Sequence, residues 1–376
     1  MIPYGHQSID ESDIKEVVKV LKSDWLTQGP EIDEFEKKLG DYCGAKYAVV
    51  FSNGTAALHA AYFAAGFKKG DEFITTPLTF AATANAGLYL GARPVFADIS
   101  EDGNLDPGEI EKKITPKTKA IAVVDYAGKP ARLDKLKAIA QKHNLILIED
   151  ACHALGAEYK RKKIGSVSDL TIFSFHPVKS ITTGEGGAVL TDKKDYYERL
   201  KMFRTHGITK KNLVNKSEGD WYYEMQELGF NYRMTDIQAA LGISQLKRLD
   251  KFIKARRKIA GNYKKIFDKY SDLISLPSAD NIQDSSWHLF VIRLRGRSAS
   301  KRAEIFKKLR ESGIGAQVHY IPVYWHPFYQ KLGYKKGLCP RAEDFYKSII
   351  SLPIYPDLKS KDQKFIIGKL LEIISH

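Results

Sequence analysis

Short apolar segments alternate with helical segments through the first half of the chain, and this alternation constrains the fold more than any other feature. Strand-like segments are predicted at 47–51, 73–76, 94–99, 120–126 and 145–149. Apolar residues at helical spacing separate them, as at 81–90 and 133–143. Because alternating strands and helices build parallel sheets covered on both faces, the sequence predicts an α/β fold with a mostly parallel sheet.

The pattern changes after Thr191. Residues 207–229 are polar and are predicted to form a long loop, and Thr235 is predicted to begin a helix that reaches about residue 270. Further strand-like and helical segments follow. We therefore predict a large domain over residues 1–250, which includes the N-terminal segment, and a smaller C-terminal α/β domain over residues 251–376.

The chain is basic, with 59 Lys and Arg against 45 Asp and Glu and a net charge of +14. A positive surface attracts anionic partners, either a phosphorylated small molecule or nucleic acid. In 247–264 the basic residues are interleaved with acidic ones, which is typical of a solvated helix face. We predict no nucleic-acid partner.

No apolar run approaches the roughly 20 residues that cross a bilayer, and the N-terminus lacks a secretory signal pattern. The three cysteines lie far apart and form no CxxC pair, so no zinc site is expected. These features favour a cytoplasmic protein that has no membrane partner and no metal.

An aspartate and a lysine each follow an apolar segment. Asp150 follows the segment at 145–149, and Lys179 lies between the segment at 170–175 and a glycine-rich stretch. Ligands of open α/β sheets bind at the carboxyl ends of the strands. A lysine that forms an imine and an aspartate that pairs with a ring nitrogen are what pyridoxal phosphate needs. Singly, Lys179 also fits a surface lysine and Asp150 a helix cap, but together they favour the cofactor.

Four further positions are candidates for the same edge of the sheet. The turn at Gly54 opens a helix directly after a strand, where backbone N–H groups favour a phosphate, and Ser174 could add a hydroxyl. Phe80 could stack on a cofactor ring, although phenylalanine is more often a core residue. His153 could bond a cofactor oxygen, although a lone histidine is more often structural.

At these residues the chain resembles the sugar-nucleotide aminotransferases of the DegT/DnrJ/EryC1/StrS family, a branch of the fold-type I pyridoxal-phosphate enzymes. The resemblance covers nearly the whole chain. The matching motifs are SNGTA at 52–56, TFAATAN at 79–85, EDACHA at 149–154, FSFH at 173–176 with Lys179, EGG at 185–187 and GFNYRM at 229–234.

The resemblance implies a role for each matching position. Lys179 would hold pyridoxal 5'-phosphate (PLP), Asp150 would pair with its ring nitrogen, Phe80 would stack on the ring, and His153 would also belong to the cofactor site. The residues implied for the phosphate are Thr55, Ala56 and Ser174, with Asn231 reaching across a dimer interface. The positions implied for the sugar nucleotide and amino donor are Tyr4, Asp24, Trp25, Leu26, Thr27, Gly54, Ser174, Asn231, Arg233, Gln317, Val318, His319 and Tyr320.

Within the family, the segments at 26–29, 124–129 and 153–159 most resemble transaminases of the pseudaminic acid pathway. That resemblance implies transfer of an amino group from L-glutamate to C4 of a UDP-4-keto-6-deoxy-N-acetylhexosamine. The product would be UDP-4-amino-4,6-dideoxy-N-acetyl-β-L-altrosamine, with pyridoxamine phosphate (PMP) as the intermediate form of the cofactor. The enzyme would be a homodimer whose active sites are shared across the interface.

Three alternatives stay open. One is a 4-aminotransferase for another UDP- or dTDP-keto sugar, of the bacillosamine or perosamine type. A second is a regulatory protein that keeps the PLP fold without catalysis. A related dehydratase is disfavoured, because the resemblance implies histidine in place of the lysine in those enzymes and this chain has Lys179.

Overall fold

The structure is a computed structural model that describes residues 1–276 and 282–375. Its α-helices are α1 (Glu11–Leu21), α2 (Pro30–Cys43), α3 (Gly54–Ala64), α4 (Ala82–Tyr89), α5 (Leu133–Lys142), α6 (Lys194–Arg204), α7 (Asp236–Leu246), α8 (Leu249–Phe267), α9 (Arg302–Glu311), α10 (Pro327–Lys331), α11 (Pro340–Ser348) and α12 (Ser360–Ser375). Its strands are β1 (Tyr47–Phe51), β2 (Glu72–Thr75), β3 (Arg93–Phe96), β4 (Thr118–Val124), β5 (Ile146–Asp150), β6 (Glu158–Tyr159), β7 (Lys162–Lys163), β8 (Leu170–Ser174), β9 (Gly187–Thr191), β10 (Ile208–Thr209), β11 (Glu224–Met225), β12 (Ile274–Ser275), β13 (Phe290–Leu294) and β14 (Ile349–Leu352).

The main sheet has seven strands in the order β1-β9-β8-β5-β4-β2-β3. Strands β8, β5, β4, β2 and β3 are parallel, and β9 runs antiparallel to both of its neighbours, β1 and β8. The predicted α/β fold with a mostly parallel sheet is therefore confirmed.

Both faces of the sheet are buried, which explains why its strands are apolar without alternation. Along β4, Ile121 and Val123 pack on the side of α2 and α5, whereas Ala120 and Ala122 pack on the side of α3 and α6. Each face of the sheet thus contributes to its own hydrophobic cluster.

A second, antiparallel sheet lies in the C-terminal part of the chain, in the order β12-β13-β14. Its core joins residues of α8, α9 and α12, among them Ile259, Leu309 and Leu370. Helix α8 begins at Leu249, next to the predicted domain boundary at residue 250. The exact division of the chain into two domains stays a prediction.

Two segments differ from the expectation. The predicted helix after Thr235 is two helices, because Arg248 leaves helical geometry and its guanidinium pairs with Asp10 and Asp13 near the start of α1. The predicted loop at 207–229 contains the short hairpin β10–β11. Tertiary pairing, which local periodicity does not report, explains the first difference, and the second arises because each strand of the hairpin has only two residues.

A buried ion pair between α2 and α6 hydrogen bonds to the backbone of β1. Glu36 of α2 accepts hydrogen bonds from Arg204 and from the backbone N–H of Val50, and Arg204 also donates to the carbonyl oxygen of Val50. Removing one partner of a buried pair leaves the other charge uncompensated. Because β1 leads into α3, this pair also fixes the start of that helix.

We expect Arg204→Met to lower the free energy of unfolding by about 3–5 kcal/mol, because Glu36 would stay buried without its cation. The shift of the urea unfolding midpoint measures this loss. Lys38→Met on the same helix α2 is the control, because Lys38 forms only an exposed pair with Glu34 and should not shift the midpoint measurably. Equal shifts for the two variants would contradict the assignment.

Candidate active site

A cavity of about 870 Å³ opens at the carboxyl ends of the parallel strands. Segments that follow β1, β2, β5 and β8 form most of its wall, and residues of the C-terminal part complete it. The predicted site residues that line it are Tyr4, Gly54, Thr55, Ala56, Phe80, Asp150, His153, Ser174, Lys179, His319 and Tyr320.

Asp150 is the last residue of β5, and 6% of its surface is exposed. Its Oδ2 accepts a hydrogen bond of 2.6 Å from Thr83 Oγ1, and its Oδ1 accepts one of 3.2 Å from the backbone N–H of Cys152. Thr83 is itself within 2.8 Å of the Thr79 hydroxyl. The carboxylate is therefore held in one orientation at the floor of the cavity.

Lys179 lies in the turn between β8 and β9, where its backbone N–H donates to the carbonyl oxygen of His176. Its side chain enters the cavity, and burial lowers its pKa, although Cys152 and Asp150 oppose the shift. Within residues 1–276 and 282–375 its Nζ has no hydrogen bond or ion pair. A lysine with a lowered pKa supplies more of the neutral amine that attacks carbonyl carbon.

The first turn of α3 forms another wall. Asn53 caps the helix by accepting a hydrogen bond of 2.8 Å from the backbone N–H of Ala56. A side chain at Gly187 would come within 2.6 Å of the Asn53 carbonyl oxygen, and one at Gly54 within 3.0 Å of Ser174. These close approaches bring the helix N-terminus and the Ser174 hydroxyl to one end of the cavity, which suits an anion.

Aromatic and imidazole rings surround the opposite end. Phe80 is 63% exposed, and its ring centre is 6.4 Å from that of Tyr320. The Tyr320 hydroxyl is 3.0 Å from Nε2 of His153, whose ring packs on His288 at 4.3 Å. Nδ1 of His153 is buried without a hydrogen-bond partner among the residues that the structure describes.

Burial keeps three histidines of this site neutral. It lowers the pKa of His153 and of His288 well below the usual range, and it lowers the pKa of His319 to about 4. The charge of Lys179 adds to each shift. Neutral imidazoles can accept a hydrogen bond from a ligand as well as donate one.

A neutral buried histidine makes the protein sensitive to acid. In the unfolded chain the His319 side chain has its ordinary pKa of 6.5, whereas in the folded protein its pKa is about 4. The free energy of unfolding therefore falls as the pH drops between these two values. We expect His319→Asn, which can keep the contact with Ser351, to lose less stability than the wild-type protein between pH 7 and pH 4.5. Urea unfolding at the two pH values measures the difference, and His6→Asn at an exposed position should behave as wild type.

Several predicted site residues lie outside the cavity of the single chain. Trp25 and Leu26 are exposed beside α2, and Thr27 pairs with Thr235. Asn231 is exposed and pairs with Thr205. The others outside the cavity are Asp24, Arg233, Gln317 and Val318. The predicted roles of all these residues stay predictions.

Several residues of the cavity were not among the predicted site residues, and Thr83 and His288 are two of them. Thr83 contacts Asp150, and its spacing of four residues from Thr79 at the start of a helix was a usable signal. His288 lines the cavity from the C-terminal part of the chain. No local pattern links His288 to residues more than a hundred positions away.

The residues present fit pyridoxal phosphate. An unpaired, partly buried lysine amine and an oriented carboxylate share one cavity, and a helix N-terminus with a nearby hydroxyl suits the phosphate. The buried Nδ1 of His153 lacks a partner in the described residues. The volume of the cavity leaves room for a substrate beside the cofactor.

Residues 1–276 and 282–375 contain no cluster of three or more His, Cys, Asp or Glu side chains arranged to hold a metal ion. In the same ranges, no helix combines the length and the apolar character that a membrane span requires.

Comparison with known proteins places the chain among aminotransferases. Residues 7–371 match the DegT/DnrJ/EryC1/StrS aminotransferase family. The UDP-4-amino-4,6-dideoxy-N-acetyl-beta-L-altrosamine transaminase of Campylobacter jejuni (serotype O:23/36, strain 81-176) is 45% identical over 100% of this chain and 98% of its own length.

Solved structures agree with the sequence match. Helicobacter pylori PseC, an aminotransferase of pseudaminic acid biosynthesis, has a TM-score of 0.93 and 38% identity, over 100% of this chain and 99% of its own. A Streptococcus pneumoniae protein described as a sugar aminotransferase, solved in PLP and PMP forms, has a TM-score of 0.93 and 31% identity, over 100% of this chain and at least 98% of its own. The chain therefore belongs to the DegT/DnrJ/EryC1/StrS family of PLP-dependent sugar aminotransferases.

Proposed function

We propose that the cavity binds pyridoxal phosphate and that Lys179 carries it covalently. Asp150 would hold the ring nitrogen, and Phe80 would cover one face of the ring. Thr55, Ala56 and Ser174 would bind the phosphate, and His153 would hydrogen bond an oxygen of the cofactor. The observation that carries this proposal is that Lys179 and Asp150 line the same cavity as the N-terminus of α3.

Bound pyridoxal phosphate supplies an aldehyde carbon and a ring that accepts the electrons of a broken Cα–H bond. Lys179 then acts as the base and acid of the reaction. Its Nζ, free once the amino group of L-glutamate has replaced it on the cofactor, would take the proton from Cα of L-glutamate, and in the second half of the reaction it would deliver a proton to C4 of the keto sugar. Because burial lowers the pKa of Lys179, more of it is the neutral amine that can take a proton.

Asp150 contributes a fixed negative charge. Hydrogen bonds from Thr83 and from the backbone of Cys152 orient its two oxygens, so the charge needs no rearrangement when a cation forms beside it. Such a preorganised carboxylate would keep a ring nitrogen protonated in both halves of the reaction.

We propose that the acceptor is a UDP-4-keto-6-deoxy-N-acetylhexosamine and that the product is UDP-4-amino-4,6-dideoxy-N-acetyl-β-L-altrosamine. The 45% identity with a transaminase of that name supports this substrate class. The net charge of +14 also favours an anionic nucleotide sugar. L-Glutamate is the proposed amino donor.

A panel of keto sugars tests the substrate. The protein would be incubated with L-glutamate and UDP-4-keto sugars of both C5 configurations, as well as a dTDP-4-keto sugar, and the products identified by mass spectrometry and NMR. We expect the altrosamine product to form fastest. Faster amination of a bacillosamine- or perosamine-type precursor would replace the proposed substrate, and no amination of any sugar would favour a regulatory protein without catalysis.

We further propose that the enzyme works as a homodimer and that Asn231 completes the site of the neighbouring chain. Ser52, next to the cap of α3, donates its backbone N–H to the carbonyl oxygen of Tyr232. Large apolar side chains near this segment are exposed, including Trp221, Met225 and Leu228. Exposed apolar surface of this kind is typical of an interface between proteins.

Mixed dimers test the shared site. Lys179→Ala and Asn231→Ala chains would be produced together and separated by affinity tags. If Asn231 acts across the interface, the mixed dimer has one intact site and regains activity that both parent dimers have lost. A mixed dimer as inactive as its parents, or a monomeric protein with full activity, would contradict the shared site.

A further inference from the structure

Arg256 of α8 is a buried cation that has no part in the site described above. It is 1% exposed, and burial lowers its pKa to about 10. Within the described part of the chain its hydrogen bonds all go to backbone carbonyl oxygens and none to a carboxylate. Burying a guanidinium without a carboxylate costs free energy, which its hydrogen bonds offset only in part.

The carbonyl groups that Arg256 contacts come from three separate segments. Its Nη1 donates to Ile354 at 2.9 Å, and more weakly to Trp287 at 3.3 Å and His288 at 3.4 Å. Its Nη2 reaches the carbonyl oxygen of Val178 at 3.4 Å. A planar guanidinium presents several donors in fixed directions, which suits a junction of separate backbones.

Two of these segments carry a residue of the cavity, and the third contacts one. Val178 precedes Lys179 and lines the cavity itself, and His288 packs on His153. The backbone N–H of Ile354 donates to the carbonyl oxygen of Tyr4, which also lines the cavity. The same guanidinium therefore contacts the backbone beside the lysine and the backbone of the histidine stack, and it is linked to the N-terminal segment through Ile354.

We propose that Arg256 is a positioning residue that sets the Lys179 turn against the C-terminal part of the site. It acts through the carbonyl oxygens of Val178, His288 and Ile354. Without it, these buried or half-buried carbonyl groups lose a hydrogen-bond donor and the turn can move away from the cavity. The proposal rests on the proposed attachment of the cofactor to Lys179.

The test is the rate at which Lys179 captures pyridoxal phosphate. Full-length protein freed of cofactor would be mixed with pyridoxal phosphate, quenched with borohydride at successive times, and the modified Lys179 peptide quantified. Arg256→Gln should slow capture by at least about tenfold, because a displacement of about 1 Å is enough to cost this much. Arg256→Lys keeps the charge and some of the hydrogen bonds, so its rate should lie between those of Arg256→Gln and the wild-type protein.

Tyr263→Phe on the same helix is the matched control. The Tyr263 hydroxyl is buried and donates to the carbonyl oxygen of Pro353, but no hydrogen bond joins it to the Lys179 turn in the residues described. We expect this variant to lose thermal stability and to capture the cofactor at the wild-type rate. A wild-type rate in Arg256→Gln, or an equal loss in Tyr263→Phe, would overturn the proposal.

Two further outcomes are distinguishable. If Arg256→Gln does not fold, the capture rate of Arg256→Lys is the test. A wild-type capture rate in Arg256→Lys would then contradict the positioning role. If the wild-type protein itself captures no cofactor on Lys179, the proposed function fails, and the inference about Arg256 fails with it.

Discussion

Replacing Lys179 by alanine should lower turnover by at least about 10⁴-fold, because one side chain supplies both covalent attachment and proton transfer. No other lysine lines the cavity among the residues described. The steady-state rate of amine transfer from L-glutamate measures the loss. Near-normal transfer by this variant would refute the assignment.

The same variant should fold as well as the wild-type protein. Nζ of Lys179 has no hydrogen bond or ion pair in the described ranges, and burial lowers its pKa, so the ammonium form is disfavoured in the folded protein. We expect the cofactor-free variant to have a melting temperature equal to or above that of the cofactor-free wild-type protein near neutral pH. Lys194→Ala on the surface of α6 should leave both rate and stability unchanged.

Replacing Asp150 by asparagine should lower turnover by about 10²- to 10³-fold, which corresponds to the loss of a buried ion pair. The amide has the size of the carboxylate, so its oxygen can still accept from Thr83 or Cys152. It has no charge to keep a ring nitrogen protonated. Steady-state kinetics with L-glutamate, together with cofactor affinity, measure the effect.

Thr83→Val is the graded control for Asp150. It removes the hydroxyl that donates to Oδ2 and leaves the charge in place. One hydrogen bond to a charged group contributes about 1.5–3 kcal/mol, so we expect a loss of about 10- to 100-fold. A Thr83 variant worse than Asp150→Asn would show that orientation of the carboxylate matters more than its charge.

The sequence was enough to predict the architecture, because the main sheet follows a local rule. Buried parallel strands are short apolar runs, and helical periodicity lies between them. The break at Arg248 escaped prediction, because it depends on pairing with Asp10 and Asp13, more than 230 residues away. The hairpin β10–β11 escaped because each of its strands has only two residues.

Site residues could be predicted from the sequence where a reactive or polar side chain lies at the end of a predicted strand. Asp150 and Ser174 end β5 and β8, and Lys179 follows the second of these strands. Phe80 and His153 were candidates whose residue types also fit structural positions, and the resemblance to a known family favoured them as site residues. His288 and Arg256 were not predicted, because their places depend on how the C-terminal part packs on the large sheet.

Borohydride reduction of the purified holoprotein, followed by peptide mapping, shows which residue holds pyridoxal phosphate. Reduction makes a covalent bond between lysine and pyridoxal phosphate permanent, so mass spectrometry identifies the residue. We expect the pyridoxyl group on Lys179, in the peptide that follows β8. The same group on another lysine, or on none, would contradict this expectation.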